Sequence, residues 1–134
     1  MLARGRARRV YSGLLYIRVL KLMDTIQSEL KKGSMEMLVL SLLDDRPLHG
    51  YEIAKQIEAR SGGRLKFALA SVYPTLLRLE GRGLVKGRWV ERPGERSRCY
   101  YRLTADGQRA LARQREAWQG YIAAVNQVMG IDHA

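Results

Sequence analysis

The apolar positions change period along the chain, and each change marks an element. Met35, Leu38, Val39, Leu42 and Leu43 recur at intervals of three and four, which places them on one face of a helix. Asp44-Asp45-Arg46-Pro47 breaks that pattern. Tyr51, Ile53, Ala54 and Ile57 then form the apolar side of a second helix, entered through His49-Gly50. Ser61-Gly62-Gly63 ends it, because glycine tolerates the left-handed exit. The spacing predicts a third helix over 71–82, with Ser71 as its N-cap and Pro74 in its first turn, where a missing N–H costs little. Beyond it the period falls to two. Residues 84–90 read as a strand, Arg92-Pro93-Gly94-Glu95 supplies turn chemistry, and 96–103 read as the returning strand. Ser97, Cys99, Tyr101 and Leu103 share one of its faces, and Arg96, Arg98, Tyr100 and Arg102 share the other. Thr104 caps a last helix reaching roughly to Met129, with Asp106 at the positive end of its dipole.

This order predicts a mainly α fold with a small β-hairpin wing: a winged helix-turn-helix carrying an added C-terminal helix. The expected organisation is a basic extension over 1–22, a DNA-binding domain over 23–103 and a dimerisation helix over 104–134.

Charge sharpens the reading. The 134 residues include 24 Lys+Arg against 13 Asp+Glu, a formal net charge of +11. An excess of that size argues for a polyanionic partner. Six of the basic residues (Arg4, Arg6, Arg8, Arg9, Arg18 and Lys21) fall in 1–22 with no acidic residue among them. Two readings compete for this segment: a basic arm that adds DNA affinity, or an upstream start codon with translation from Met23. The break in composition at Met23, followed by an Asp24-Thr25 pair able to open a helix, favours the second.

In the third helix Ser71, Thr75, Arg78 and Arg82 lie at i, i+4, i+7 and i+11, a polar and basic stripe opposite Val72, Leu76 and Leu79, with Tyr73 and Leu77 beside the apolar side. A recognition helix needs that division, one face anchored in a core and one free for the major groove. Guanidinium groups and hydroxyls suit phosphates and base edges. The hairpin adds Lys86, Arg88, Arg92, Arg96 and Arg98, placed to track phosphate or enter the minor groove, with Glu91 and Glu95 offsetting part of the charge. In the last helix Leu111, Gln114, Trp118, Tyr121, Val125 and Val128 alternate by three and four, a seam suited to a partner helix. A dimer formed there would pair two recognition helices on a pseudo-palindromic site. Packing of the seam back onto the first helix is the competing reading, and both can hold together.

Several spaced motifs resemble the PadR family of transcriptional regulators: Leu48-His49-Gly50-Tyr51-Glu52-Ile53, Ser71-Val72-Tyr73-Pro74-Thr75-Leu76-Leu77-Arg78-Leu79-Glu80, Gly83-Leu84-Val85, and Tyr100-Tyr101-Arg102-Leu103-Thr104 with Gly107. The similarity covers about residues 30–130 in the family's order. It implies a cytoplasmic repressor that binds double-stranded operator DNA as a homodimer, Tyr73 joining the recognition residues, and releases it for a small aromatic or cationic effector or another signal. In some multidrug-responsive relatives a tryptophan of the last helix stacks on planar ligands, and Trp118 stands at the matching distance. A tryptophan of the dimer core, with no ligand, is the alternative there. Ala70 departs from the glycine many relatives carry, and the 1–22 extension is outside the family pattern.

Other classes find little support. An enzyme needs a converging nucleophile, base and orienting group. His49 and His133 are the only histidines, one at a helix start and one beside the C-terminus, and Gly62-Gly63 is followed by Arg64 rather than a Lys-Ser pair. No catalytic residue, cofactor or metal ligand set is expected. Cys99, the single cysteine, excludes an internal disulfide and a multi-cysteine zinc site. No apolar run approaches the roughly 18 residues of a membrane span, and Arg18 and Lys21 interrupt the apolar stretch 10–23. A lipid-surface helix built on Leu14, Leu15, Ile17, Val19 and Leu20 and an RNA-binding sheet are the rival binding classes. The expected partners are DNA and a second copy of the chain, not a membrane.

Overall fold

The computed structural model describes residues 2–131, with side chains described for 13–25 and 33–131. His133 lies outside the described residues. Four helices and three strands follow in the order α1 (Leu2–Leu43), β1 (Leu48–His49), α2 (Gly50–Arg60), α3 (Leu69–Gly81), β2 (Val85–Val90), β3 (Arg98–Leu103) and α4 (Ala105–Met129). The chain divides into two compact units, Met1–Ser34 and Met35–Ala134.

The first unit is helical over its described residues, and α1 runs unbroken past Met23. The Asp24-Thr25 pair does not open a helix. The Thr25 hydroxyl instead donates back to the Lys21 carbonyl oxygen, 3.0 Å away, as a mid-helix threonine does. Residues 14–23 place apolar side chains all round the helix, Leu14, Tyr16, Ile17 and Leu22 among them exposed. They therefore show no 3.6-residue periodicity, and helix-forming residue types sustain the helix without it.

The second unit holds the core. Val39, Leu40, Ile53, Val72, Leu76 and Leu79 are completely buried there, so the end of α1, α2 and α3 converge on one apolar centre. Glycines 62 and 63, at φ 63° and 79°, turn the chain out of α2. The end of α3 closes with the Gly83 and Leu84 amides donating to the Glu80 and Leu79 carbonyls at 2.9 and 3.0 Å, a Schellman arrangement that needs Gly83 at φ 75°. The next residues therefore enter β2 in a fixed direction.

The hairpin is part of a three-stranded antiparallel sheet ordered β1-β3-β2. The short β1 pairs Leu48 with Tyr101 and His49 with Tyr100, an addition to the two-stranded wing read from the sequence. In β2–β3 the register sets Val85, Gly87 and Trp89 opposite Leu103, Tyr101 and Cys99 on one face, and Lys86, Arg88 and Val90 opposite Arg102, Tyr100 and Arg98 on the other.

Thr104 ties wing to last helix: its hydroxyl donates to the Gly83 carbonyl at 2.6 Å and accepts from the Gly107 amide at 3.0 Å. Gly107, Ala110 and Leu111 are buried, so the start of α4 packs into the same core. Leu111 thus belongs to the domain's own interior. Further along, Arg115 holds Asp44 at 3.2 Å and the Ser41 hydroxyl at 3.1 Å, and beyond it α4 leaves the core.

Candidate nucleic-acid interface

The helix α3 begins at Leu69, two residues earlier than its spacing predicts. Its N-cap is Ala68, which makes no side-chain capping bond. The Ser71 and Val72 amides donate to the Ala68 carbonyl at 2.9 and 3.1 Å, so Ser71 is inside the first turn and Pro74 lies beyond it.

Packing against Met35 and Glu36 decides which side chains face outward, and it corrects the predicted stripe at Thr75. Thr75 is 1% exposed. Its hydroxyl donates to the Ser71 carbonyl at 2.9 Å, lies 3.1 Å from Met35 Sδ, and accepts from Arg78 Nη2 at 3.0 Å. Glu36 of α1 takes Arg82 at 2.9 Å and Arg78 at 3.8 Å. Thr75, Arg78 and Arg82 therefore face Met35 and Glu36. Ser71, Arg78 and Arg82 remain exposed, while Thr75 is a core residue with its hydrogen bonds filled internally. The outward row is Ala70, Tyr73, Pro74 and Leu77, with Tyr73 46% and Leu77 62% exposed.

Tyr73 is held by glycine. A Cβ at Gly50 would lie 2.7 Å from Tyr73 Cε1 and 3.0 Å from Cζ, so the ring rests on the bare backbone where α2 begins. His49, one residue earlier, caps α2: its Nδ1 accepts from the Glu52 amide at 3.3 Å, and its Nε2 lies 3.0 Å from Arg98 Nη1. A neutral imidazole has one acceptor nitrogen, so one donor holds it at a time. Protonation would forfeit both. Burial, then the positive charge of Arg98, holds the His49 pKa below its usual 6.5, against a smaller pull from Glu52. His49 is thus a structural cap, as its place at a helix start suggested.

The two sheet faces differ. The Gly87 amide donates to Glu80 of α3 at 2.6 Å, and Tyr101 beneath it is buried. Burial, followed by its hydrogen bond with Cys99, raises the Tyr101 pKa to about 12, so the phenol stays neutral. The face bearing Gly87 and Tyr101 is the one turned to α3. Lys86, Arg88 and Arg102 are on the opposite face. Between the α3 side and the sheet end lies a cleft of about 290 Å³ lined by Tyr51, Tyr73, Trp89, Arg96 and Arg98, among others. Sequence reading passed over Trp89, which is 70% exposed. A large aromatic flanked by basic residues in a strand was the available signal.

None of the six hairpin cations, Lys86, Arg88, Arg92, Arg96, Arg98 and Arg102, has a carboxylate partner among the described residues. Arg92 lies over the Tyr100 ring at 5.9 Å, and Arg98 reaches only His49. Elsewhere in the second unit, Arg46, Arg60, Arg109 and Arg115 all have acidic partners.

Residues 39–113 match the model of the transcriptional regulator PadR-like family. The chain belongs to that family. Among solved structures it is similar to a transcriptional regulator from Clostridium thermocellum, with 29% identity, a TM-score of 0.68, and 75% of this chain and 94% of the other covered. It is also similar to a PadR family transcriptional regulator from Eggerthella lenta DSM 2243, with 28% identity, a TM-score of 0.67, and 87% and 99% covered. PadR of Bacillus subtilis, solved in complex with operator DNA, shares the fold at 23% identity and a TM-score of 0.56, over 60% of this chain and 46% of that one. The PadR-like assignment agrees with the winged-helix architecture and with the motifs that lie across α2, α3 and the wing. Among the described residues there is no grouping of three His, Cys, Asp or Glu side chains able to hold a metal ion, and no helix long and apolar enough to cross a membrane.

Proposed function

We propose that this PadR-like protein is a cytoplasmic repressor that binds double-stranded operator DNA as a homodimer and lets go when a small aromatic or cationic effector binds. The observation that carries the DNA reading is the pairing of an outward α3 row with unneutralised wing cations. Tyr73 and Leu77 offer apolar and hydroxyl contact to base edges. Ser71, Arg78 and Arg82 flank them, and Arg92, Arg96 and Arg98 reach for phosphate from the wing, with Lys86 and Arg88 adding charge behind it. Bacillus subtilis PadR, solved with operator DNA, shares this fold, which is consistent with a DNA-binding role here.

Dimerisation is assigned to 104–134. Past the core-packed Leu111, the α4 seam continues through Trp118, Tyr121, Val125 and Val128, and Val128 is 90% exposed. The buried Gln114 Oε1 has no hydrogen-bond partner among the described residues. The rings of Trp118 and Tyr121 lie 6.0 Å apart, a ready wall for a planar effector. Residues 23–103 carry the DNA-binding function in this scheme, with 1–22 outside it.

The test is fluorescence anisotropy with a fragment of the protein's own promoter and a scrambled fragment, at several salt concentrations. Preference for the promoter, with affinity falling steeply as salt rises, is expected. Arg96→Ala should weaken binding to both fragments and reduce the salt slope by about one. Equal weak binding of the two fragments would refute an operator-specific role.

A further inference from the structure

The sheet face turned away from α3 is built unlike an ordinary solvated surface. Its register places Lys86 directly opposite Arg102, and like charges across a strand pair destabilise the pair. Arg88 stands opposite Tyr100 on the same face. No carboxylate offsets any of them among the described residues. Against this face lies a hollow of about 270 Å³. Pro47, Val90 and Tyr100 give it an apolar lining, and Arg88, Arg92 and Arg102 surround it. The Tyr100 ring meets the His49 ring near-perpendicularly at 5.2 Å, and Arg92 lies 5.9 Å from its centre.

We propose that this hollow binds a free nucleoside phosphate, with the planar base against Tyr100, Pro47 and Val90 and the phosphate oxygens on Arg88, Arg92 and Arg102. Three guanidinium groups with no ion-pair partner among the described residues suit a ligand with more than one negative charge, and guanidinium matches phosphate oxygens in bidentate geometry. Inorganic phosphate would leave the apolar lining uncovered. An uncharged aromatic would leave three cations unneutralised. The hollow is close to the usual lower bound of about 300 Å³ for ligand pockets, which suits a small ligand.

The site also implies regulation. Arg88 and Arg92 belong to the wing cations assigned above to DNA, so an occupied hollow withdraws them from the phosphate backbone and lowers operator affinity. That consequence rests on the DNA-binding reading; the binding itself does not.

The experiment is calorimetric titration of the full chain with ADP, and separately with adenosine, pyrophosphate and a ten-nucleotide oligothymidylate. ADP should saturate at one per chain and bind at least tenfold tighter than adenosine or pyrophosphate. Arg102→Ala and Arg102→Gln, both at an exposed strand position, should weaken ADP at least tenfold with no fall in the thermal midpoint, since each removes the like charge opposite Lys86. Tyr100→Leu should reduce ADP to the level of pyrophosphate. Pyrophosphate binding as tightly as ADP would reduce the site to a charged patch and overturn the proposal. Absence of saturable ADP binding, or binding of the oligonucleotide alone, would overturn it too. In the operator assay ADP should raise the apparent Kd of the wild type but not of Arg102→Ala. Saturable ADP binding with an unchanged operator Kd supports the site and removes the regulatory consequence. Loss of operator specificity in the wild type refutes the DNA reading and leaves the ADP titration standing.

Discussion

Thr75 separates a recognition contact from a core contact by experiment. Replacing it with valine keeps the shape and removes a hydroxyl that bonds the Ser71 carbonyl at 2.9 Å and receives Arg78 at 3.0 Å. A net intramolecular hydrogen bond contributes about 1 kcal/mol. Arg78 retains Glu36 at 3.8 Å and access to water, so the expected loss for Thr75→Val is about 1 kcal/mol, most of it from the Ser71 bond. For a folding unit of about 100 residues that lowers Tm by roughly 4–8 °C. Thr75→Ser keeps the hydroxyl but leaves a methyl-sized void in a close-packed interior, with a similar loss of about 1 kcal/mol. Because the residue is 1% exposed, neither substitution should move the operator Kd more than about twofold, within roughly 0.4 kcal/mol. Thermal denaturation and promoter anisotropy on the same preparations read the two quantities. If Thr75 instead presented its hydroxyl to DNA, Thr75→Val would weaken the operator about tenfold or more, as loss of a base contact does, with Tm unchanged. Thr75→Ser would then spare binding. That pattern would refute the core assignment.

Further outcomes follow from other contacts. A methyl group at Gly107 would overlap the Leu84 carbonyl oxygen and lie 3.0 Å from its carbon; backbone cannot yield as a side chain does, so Gly107→Ala should cost on the order of 3 kcal/mol in chemical denaturation. His49 has a lowered pKa, so its neutral form is the one folding favours, and the unfolded chain binds more protons near its usual value of 6.5. The stability it contributes is therefore complete above pH 6.5 and lost as the pH falls through that value towards the folded pKa. His49→Asn keeps an N-capping side chain without titrating, so its Tm should fall less than the wild type's between about pH 7 and 5; parallel Tm curves would argue against the assignment. Tyr121→Asp places a charge on the exposed α4 seam without touching the core, and light scattering should then report half the wild-type mass. An unchanged mass would locate the dimer contact elsewhere.

How much of this was legible in the sequence depended on the range of the interaction that decides each feature. The succession of elements was legible because it is local. The 3.6-residue pattern from Met35, the period-two runs on either side of Arg92-Pro93-Gly94-Glu95, the Gly62-Gly63 exit and the Thr104 cap each act within a few residues, and the structure has all of them. The family motifs were legible for the same reason, being short runs in order. The outward row of α3 was not. Thr75 is polar and buried, and Leu77 is apolar and exposed; sorting by residue type therefore includes Thr75 and passes over Leu77. What decides is Met35 and Glu36, some forty residues earlier, packing against Thr75, Arg78 and Arg82. Sheet register likewise decides that Lys86, Arg88 and Arg102 share the face away from α3, where an alternating strand alone leaves open which face meets the helices. The α4 seam reads as one continuous pattern from Leu111 to Val128, yet tertiary packing divides it: Leu111 is spent on the domain's own core, whereas Trp118, Tyr121 and Val128 of the same row are exposed. Sequence determined the elements and their chemistry. Only the meeting of distant segments determined which face of each element was left free to bind.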